Sequence, residues 1–393
     1  MNSYPDQTNP IDAKAFKKRA QVLAAEMGFG LFGVTNPNPP NHLNVYEDWL
    51  RQDRHGTMNY LASERALQGR KDPELILEGC ASILVLGTNY LPPSPHAADE
   101  YSQARVAAYA LGDDYHETLL DRMEKLIEAL EDEFGGPIRN KTYTDTGPIL
   151  ERELAQRAGL GWIGKNTCLI HPRKGSYFLL GEIFLDIPLA PDEPITVDHC
   201  GSCTRCIEAC PTYCILSDRT LDASRCISYL NIEHRGEISV DLRLSMEDWV
   251  FGCDICQQVC PWNIRFSEET HDSTFEPRPF LNSPSPSNFL SLEQEEYQEV
   301  FKRSPLKRAK RNGLLRNAAI VAANQTDGES VSHLVKILFK GDEGWLRSQA
   351  AWSLGQIGGE DAVKGLQEGL AREAEPPVRR EIHAALDRLH GGG

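Results

Sequence analysis

The chain has 393 residues, 40% of them hydrophobic and 25% charged, with a formal net charge of −16. That composition suits a folded protein of two or three domains and excludes a fibre or a disordered tail. No stretch approaches the roughly 18 uninterrupted apolar residues of a spanning helix. The opening MNSYPDQTNP lacks the basic-then-apolar order of a secretory signal, so a cytoplasmic protein with no membrane partner is expected.

In chain order, the first predicted element is a strand over 82–87, an apolar run introduced by Cys80. Residues 116–134 place Leu119, Leu120, Met123, Leu126, Ile127, Leu130 and Phe134 at helical spacing, the pattern of an amphipathic helix. Residues 143–152 (YTDTGPILER) put Pro148 where a helix could begin, with Asp145 or Thr146 near its N-terminal end. Two roles for Asp145 make opposite demands. A capping carboxylate has its pKa lowered by the helix dipole, whereas a proton donor at neutral pH needs it raised by burial against an apolar wall.

Gly159-x4-Gly164-Lys165 imitates a phosphate loop, but Asn166 stands where a Ser or Thr must hold magnesium. The segment before it reads as a helix rather than a strand, so Gly159 and Gly161 are expected to stop that helix. No GxGxxG follows a strand, which leaves a dinucleotide site unsupported. Asp114-Tyr115-His116 begins the pattern of a cobalamin-ligating histidine but has Leu119 where glycine belongs. Cobalt in any bound corrinoid would therefore take no ligand from this motif. A strand over 177–187 completes a layered α/β or α+β domain, set at residues 1–190 by the proline-rich break 188–194. Cys80 and Cys168 read as small core residues.

Nine of the eleven cysteines lie between Cys200 and Cys260, crowding that favours metal over disulfides. Cys200-x2-Cys203-x2-Cys206-x3-Cys210-Pro211 is the run of bacterial ferredoxins, in which three thiolates hold one [4Fe–4S] cube and the fourth reaches another. A second copy, Cys253-x2-Cys256-x3-Cys260-Pro261, has Val250 in place of its first cysteine. Crossing over gives cluster one Cys200, Cys203, Cys206 and Cys260. Cluster two takes Cys210, Cys253 and Cys256 and needs a substitute, Cys226 or Cys214. Cys226 is the better placed of the two, because Cys214 follows Cys210 by only four residues. This ferredoxin-like module spans 191–275 and ends at a second break marked by Pro277, Pro279, Pro284 and Pro286.

Residues 276–393 read as helical repeats. Arg316, Arg347 and Arg379 recur 31 and 32 residues apart, each leading an apolar helical stretch, the pattern of HEAT-like helix pairs. Residues 302–316 (KRSPLKRAKRNGLLR) hold seven basic residues and no acidic one, which leaves the rest of the chain still more acidic. Concentrated positive charge beside a repeat surface is the footprint of a polyanion partner.

Taken together, several segments resemble the epoxyqueuosine reductases, iron–sulfur and cobalamin enzymes related to the reductive dehalogenases. They are His55-Gly56-x-Met58-x-Tyr60-Leu61, Ala110-x-Gly112-x-Asp114-Tyr115-His116, the Thr144 to Arg152 segment, Gly161-Trp162-x-Gly164-Lys165-Asn166, both cysteine sets, and Lys310-Arg311-x-Gly313-Leu314-x-Arg316-Asn317. The resemblance implies reduction of epoxyqueuosine to queuosine at the wobble position of tRNA. It implies two [4Fe–4S] clusters, cobalamin with an uncoordinated lower face, and an external electron donor. Asp145 matches the family's proton donor and Cys226 its extra cluster ligand. Arg70, Arg105, Tyr109, His116, Lys165 and Asn166 are the expected cobalamin contacts, although residues 105–109 are less basic than the family suggests. Lys307, Arg308, Lys310, Arg311 and Arg316 are expected to grip tRNA phosphates, with the protein acting as a monomer. A corrinoid reductive dehalogenase, and a non-catalytic electron-transfer protein with a HEAT-like partner surface, are the alternatives. The former commonly carries an export signal, and the latter leaves 190 N-terminal residues without a purpose.

Overall fold

The computed structural model describes residues 12–93 and 104–391; the opening segment, read above for a leader, lies outside them. The N-terminal sheet has four strands, β1 (Leu31–Thr35), β2 (Ser82–Asn89), β3 (Asn140–Tyr143) and β4 (Phe178–Leu185). They lie in the order β1-β2-β4-β3 and pair antiparallel throughout, the α+β form of the expected layered domain. Every residue of β2 from Ser82 to Thr88 is buried, so the strand reads as a continuous apolar run rather than an alternation.

Both faces of the sheet are covered. Helices α1 (Ala13–Glu26) and α2 (Tyr115–Phe134) pack on Leu84, Leu86, Ile183 and Leu185, while α3 (Glu151–Arg157) packs on Ile83, Val85 and Phe184. Asp114 caps α2 by accepting from the His116 amide, and Gly135 ends it with φ at 77°. Gly159, at φ 77°, stops α3 as expected. Gly161 plays no part in that stop. A Cβ there would stand 2.5 Å from the Ile170 carbonyl oxygen, so close approach explains it. The 159–166 segment forms a hairpin, Trp162–Ile163 against Leu169–Ile170, and not the strand–loop–helix of a phosphate loop.

In the cysteine-rich segment the two copies fold alike. Short helices Arg205–Glu208 and Ile255–Gln258 pack on each other, each beginning two residues after the first cysteine of a CxxC, Cys203 and Cys253. Val250, at the missing cysteine position, lies in the short strand Trp249–Phe251 that pairs in parallel with Arg105–Val106. The five last helices are α4 (Lys310–Asn324), α5 (Val331–Lys340), α6 (Gly344–Ile357), α7 (Glu360–Arg372) and α8 (Pro376–Gly391). They form two rows, α4-α6-α8 and α5-α7, as stacked helix pairs should.

The recurring arginines lie on α4, α6 and α8 and are internal staples. Arg347 binds Glu373 at 2.7 Å and the Gly341 carbonyl at 2.9 Å; Arg379 binds the Leu370 and Glu373 carbonyls at 2.6 and 2.9 Å. Ala104, Val106, Ala110 and Leu111 join one core with Phe251 and the repeat helices, so the N-terminal chain is built into the C-terminal packing.

Candidate active site and cluster module

All eleven cysteines are free thiols. Cys200, Cys203, Cys206 and Cys260 line one cavity of about 290 Å³, together with Lys165, His199 and Trp262. Lys165, expected at the corrinoid, instead donates to the Gly201 and Cys203 carbonyls at 2.7 and 2.9 Å and so holds the loop of the first set. Cys210 and Cys256 pack around a small core with Cys226 and Cys214, and Cys253 packs on Trp249 and Ile227 beside it. Both candidates for the substitute ligand are there: Cys214 Sγ is 3.4 Å from Cys210 Sγ and also touches Cys226. Cys80 is a buried core residue as expected. Cys168 is not simply core, because its thiol lies against that of Cys256. Asn166 is buried beside it and donates to the Cys256 carbonyl at 3.3 Å, again facing the cysteines.

A second site forms where the loop after β3 meets the N-terminal ends of α2 and α3. Asp145 does not cap α3, whose N-cap is Leu150. It takes φ of 57°, a left-handed conformation uncommon for a side-chain-bearing residue and typical of functional turns. This turn aims its carboxylate at α2, where the Tyr115 hydroxyl donates to Oδ2 at 3.1 Å and His116 Nε2 lies 3.2 Å away. The other ring nitrogen, Nδ1, meets Asp114 at 2.7 Å.

Burial works against the charge on His116, yet its hydrogen bonds to Asp114 and Asp145 win and lift it to about 9. It is an imidazolium at neutral pH. Crowding would push the Asp145 carboxyl up, but the hydrogen bond and charge of His116 outweigh it and hold the group below its ordinary value. The raised pKa expected of a proton donor is therefore absent at rest: the proton sits on His116, one hydrogen bond from Asp145. Glu151, the first residue of α3, accepts from the Asp145 amide, and burial plus the charge of Asp145 raise it to about 7.

The expected cofactor contacts divide. Arg70 is buried, stacks on Tyr46 at 4.9 Å, and leaves its Nε without a partner. Tyr109 stands edge-on to Tyr115 at 5.9 Å and to Tyr90 at 6.4 Å, inside the site. Arg105 is engaged elsewhere, by Asp248 at 3.0 Å and the face of Trp249.

The basic run also divides. Arg316 is 1% exposed and donates to the Leu230, His234 and Gly236 carbonyls, so it is corrected from phosphate contact to staple. Arg311 donates to the Leu292 carbonyl at 2.8 Å and is half-buried. Arg308 is held by both Glu233 oxygens, at 2.7 and 2.8 Å, and lies over Tyr60. Lys307 and Lys310 are exposed, with no ion pair among the described residues.

Sequence reasoning passed over Tyr115 and Glu151, although both stand in segments that carry the family resemblance. It also missed Glu182, whose signal was a lone carboxylate in the apolar strand FLLGEIFL.

Three family descriptions match in chain order: "Epoxyqueuosine reductase QueG, DUF1730" at 70–146, "4Fe-4S double cluster binding domain" at 199–263, and "HEAT repeats" at 306–387. An epoxyqueuosine reductase of Xanthomonas campestris is 38% identical over 91% of this chain and 100% of its own length. A crystal structure of epoxyqueuosine reductase with an epoxyqueuosine-modified tyrosine tRNA stem loop superposes with TM-score 0.87 at 28% identity, covering 96% of this chain and all of that one. The Bacillus subtilis enzyme, with its catalytic aspartate loop swung out of the active site, matches with the same score, identity and coverage. The chain belongs to the epoxyqueuosine reductase family.

Proposed function

We propose that this protein reduces epoxyqueuosine to queuosine in tRNA, using two electrons and two protons and releasing the epoxide oxygen as water. The observation that carries this reading is the full-length likeness to an epoxyqueuosine reductase, combined with a charged, partly exposed His116–Asp145 pair in the N-terminal domain. Cys200, Cys203, Cys206 and Cys260 would hold one [4Fe–4S] cluster, and Cys210, Cys226, Cys253 and Cys256 the other. This assignment is supported by the shared cavity and by the thiols crowding around Cys210. An external one-electron donor would fill them.

The residues present also fit a corrinoid. The orphaned Nε of Arg70 needs an acceptor, which the amide side chains of cobalamin could give, and Tyr109 and His116 both pack on the Tyr115 ring beside Asp145. When bound, cobalamin supplies a metal centre reducible to a strong nucleophile, suited to opening a strained epoxide. The protein's own part is acid chemistry. His116 carries the proton at rest, Asp145 receives it across 3.2 Å, and Asp145 presents it to the leaving oxygen. Tyr115 holds Asp145 in line through its hydroxyl.

Substrate RNA would be gripped by Lys307 and Lys310. Arg308 and the exposed ring of Tyr60 would line the approach to Asp145, with the modified base turned out of its stack. The test is anaerobic turnover of cobalamin-loaded protein with epoxyqueuosine-containing tRNA and a strong reductant, with digested nucleosides read by mass. Loss of one oxygen, dependent on cobalamin, is expected. Unchanged nucleoside, with both clusters and corrinoid bound, would overturn the reading.

A further inference from the structure

Converting an epoxide to an alkene breaks two C–O bonds, forms one C=C bond, and consumes two electrons and two protons. The electrons come from the external donor through the clusters. His116 and Asp145 between them hold one exchangeable proton at rest, so the second must come from elsewhere while bound RNA covers the site.

Glu182 lies on β4, opposite Tyr143 of β3, on the face of the sheet covered by α3. It is 0% exposed, and neither carboxylate oxygen finds a hydrogen-bond donor. Its carboxyl group lies against that of Glu151, a contact that holds only when one of the two carries a proton. Glu151 in turn accepts from the Asp145 amide. Two acids in contact, one wholly buried, thus sit directly behind the proposed donor. The other ionisable groups facing them are Asp145 from the β3 loop, Tyr143 of β3, His116 and Tyr115 from α2, Arg152 from α3 itself and Arg70 from the helix Glu64–Lys71.

We propose that Glu151, backed by Glu182, is the proton store that recharges Asp145 for the second protonation of the reaction. Asp145 gives its first proton to the opening epoxide oxygen, which becomes a hydroxyl. Glu151 then returns a proton to Asp145, which delivers it as that hydroxyl departs as water. Glu182 keeps its own proton and donates a hydrogen bond to the Glu151 carboxylate left behind, so the negative charge rests on the less deeply buried of the two acids. Burial and the neighbouring carboxylates hold Glu182 well above the usual range, and neither of its oxygens has a donor to stabilise a charge, while Glu151 at about 7 is poised to exchange. Both glutamates act through Asp145 and are positioning residues. The inference rests on the proposed reaction, but the state of the pair can be read without turnover.

The test uses the full cluster-loaded chain and its Glu151→Gln and Glu182→Gln variants. Infrared difference spectra in H2O and D2O should show a protonated carboxylic C=O band persisting above neutral pH, abolished in Glu182→Gln. Turnover of epoxyqueuosine tRNA in the parent should fall with a limb near pH 7. Glu151→Gln should lose that limb and run about tenfold slower. A parent chain with no such band overturns the proposal whether or not it turns over, and so does a Glu151→Gln variant with unchanged rate and limb. Should the parent show the band but convert no epoxyqueuosine, the proton store stands and the proposed reaction fails.

Discussion

At the scale of single residues, the site is a problem of where protons rest. His116 lies between two carboxylates and is lifted from 6.5 to about 9. Its ion pairs contribute fully below 6.5 and are lost as pH rises through about 9. The lowered Asp145 carboxyl sets the acid edge: its contribution is present above 3.8 and disappears as pH falls through its folded value. Replacing Asp114 by Asn removes the anion on Nδ1, so NMR titration of the His116 ring should move down from about 9. An unmoved titration would mean that Asp114 does not hold the imidazolium. Asp145→Asn should retain both clusters and lose about a hundredfold or more in turnover, measured on the same nucleoside digest. Asp145 was legible as a candidate from its motif, but the sequence offered it as cap or donor alike. Only the left-handed turn, which aims it at α2 and away from the start of α3, separates the two.

At the scale of elements, close approach decides what the strands and helices tolerate. A Cβ on Gly33 of β1 would stand 2.2 Å from the Ala158 carbonyl oxygen at the end of α3. Gly33→Ala should therefore cost about 2 kcal/mol, read by denaturant unfolding, without touching the chemistry. Helix α4 carries the sharpest division within one basic run. Arg316→Met would leave the Leu230, His234 and Gly236 carbonyls without their donor, for a loss of about 3 kcal/mol with tRNA affinity unchanged in the folded fraction. Lys307→Glu with Lys310→Glu should do the reverse: stability kept, tRNA binding weakened, and the salt slope reduced by about one for each phosphate let go. Filter binding at two salt concentrations separates these outcomes. The period of the arginines announced the repeats, but their role as staples follows from stacking, which composition does not show.

Across the whole molecule, the three parts share packing. Asn317 of α4 donates to the Asn231 and Val250 carbonyls at 2.7 and 2.8 Å, tying the repeats to the cysteine module. Arg278 reaches the Gly112 carbonyl and Asp113 on one side and the Lys302 and Arg303 carbonyls on the other. A chain ending at residue 275 would bare Ala104, Val106, Ala110 and Leu111, which lie in the core shared with the repeats. It should aggregate when expressed alone, as light scattering would show; a soluble, monodisperse fragment would refute the shared core. The proline-rich breaks at 188–194 and 277–286 mark composition, whereas contacts cross both.

What the sequence determined by itself were the features written in local spacing: the ferredoxin cysteine runs, the amphipathic helix α2, the apolar strands and the helical repeat. Spacing is a property of consecutive residues, and metal ligation and helix periodicity depend on little else. The tertiary structure alone decided the rest. Lys165 and Asn166 belong to the cysteine loops, Arg316 is sealed inside, and Glu182, 37 positions after Asp145, ends up behind it. Those outcomes depend on which surfaces meet when the layers close, and burial gives each charged group a partner or a proton according to neighbours distant in the chain.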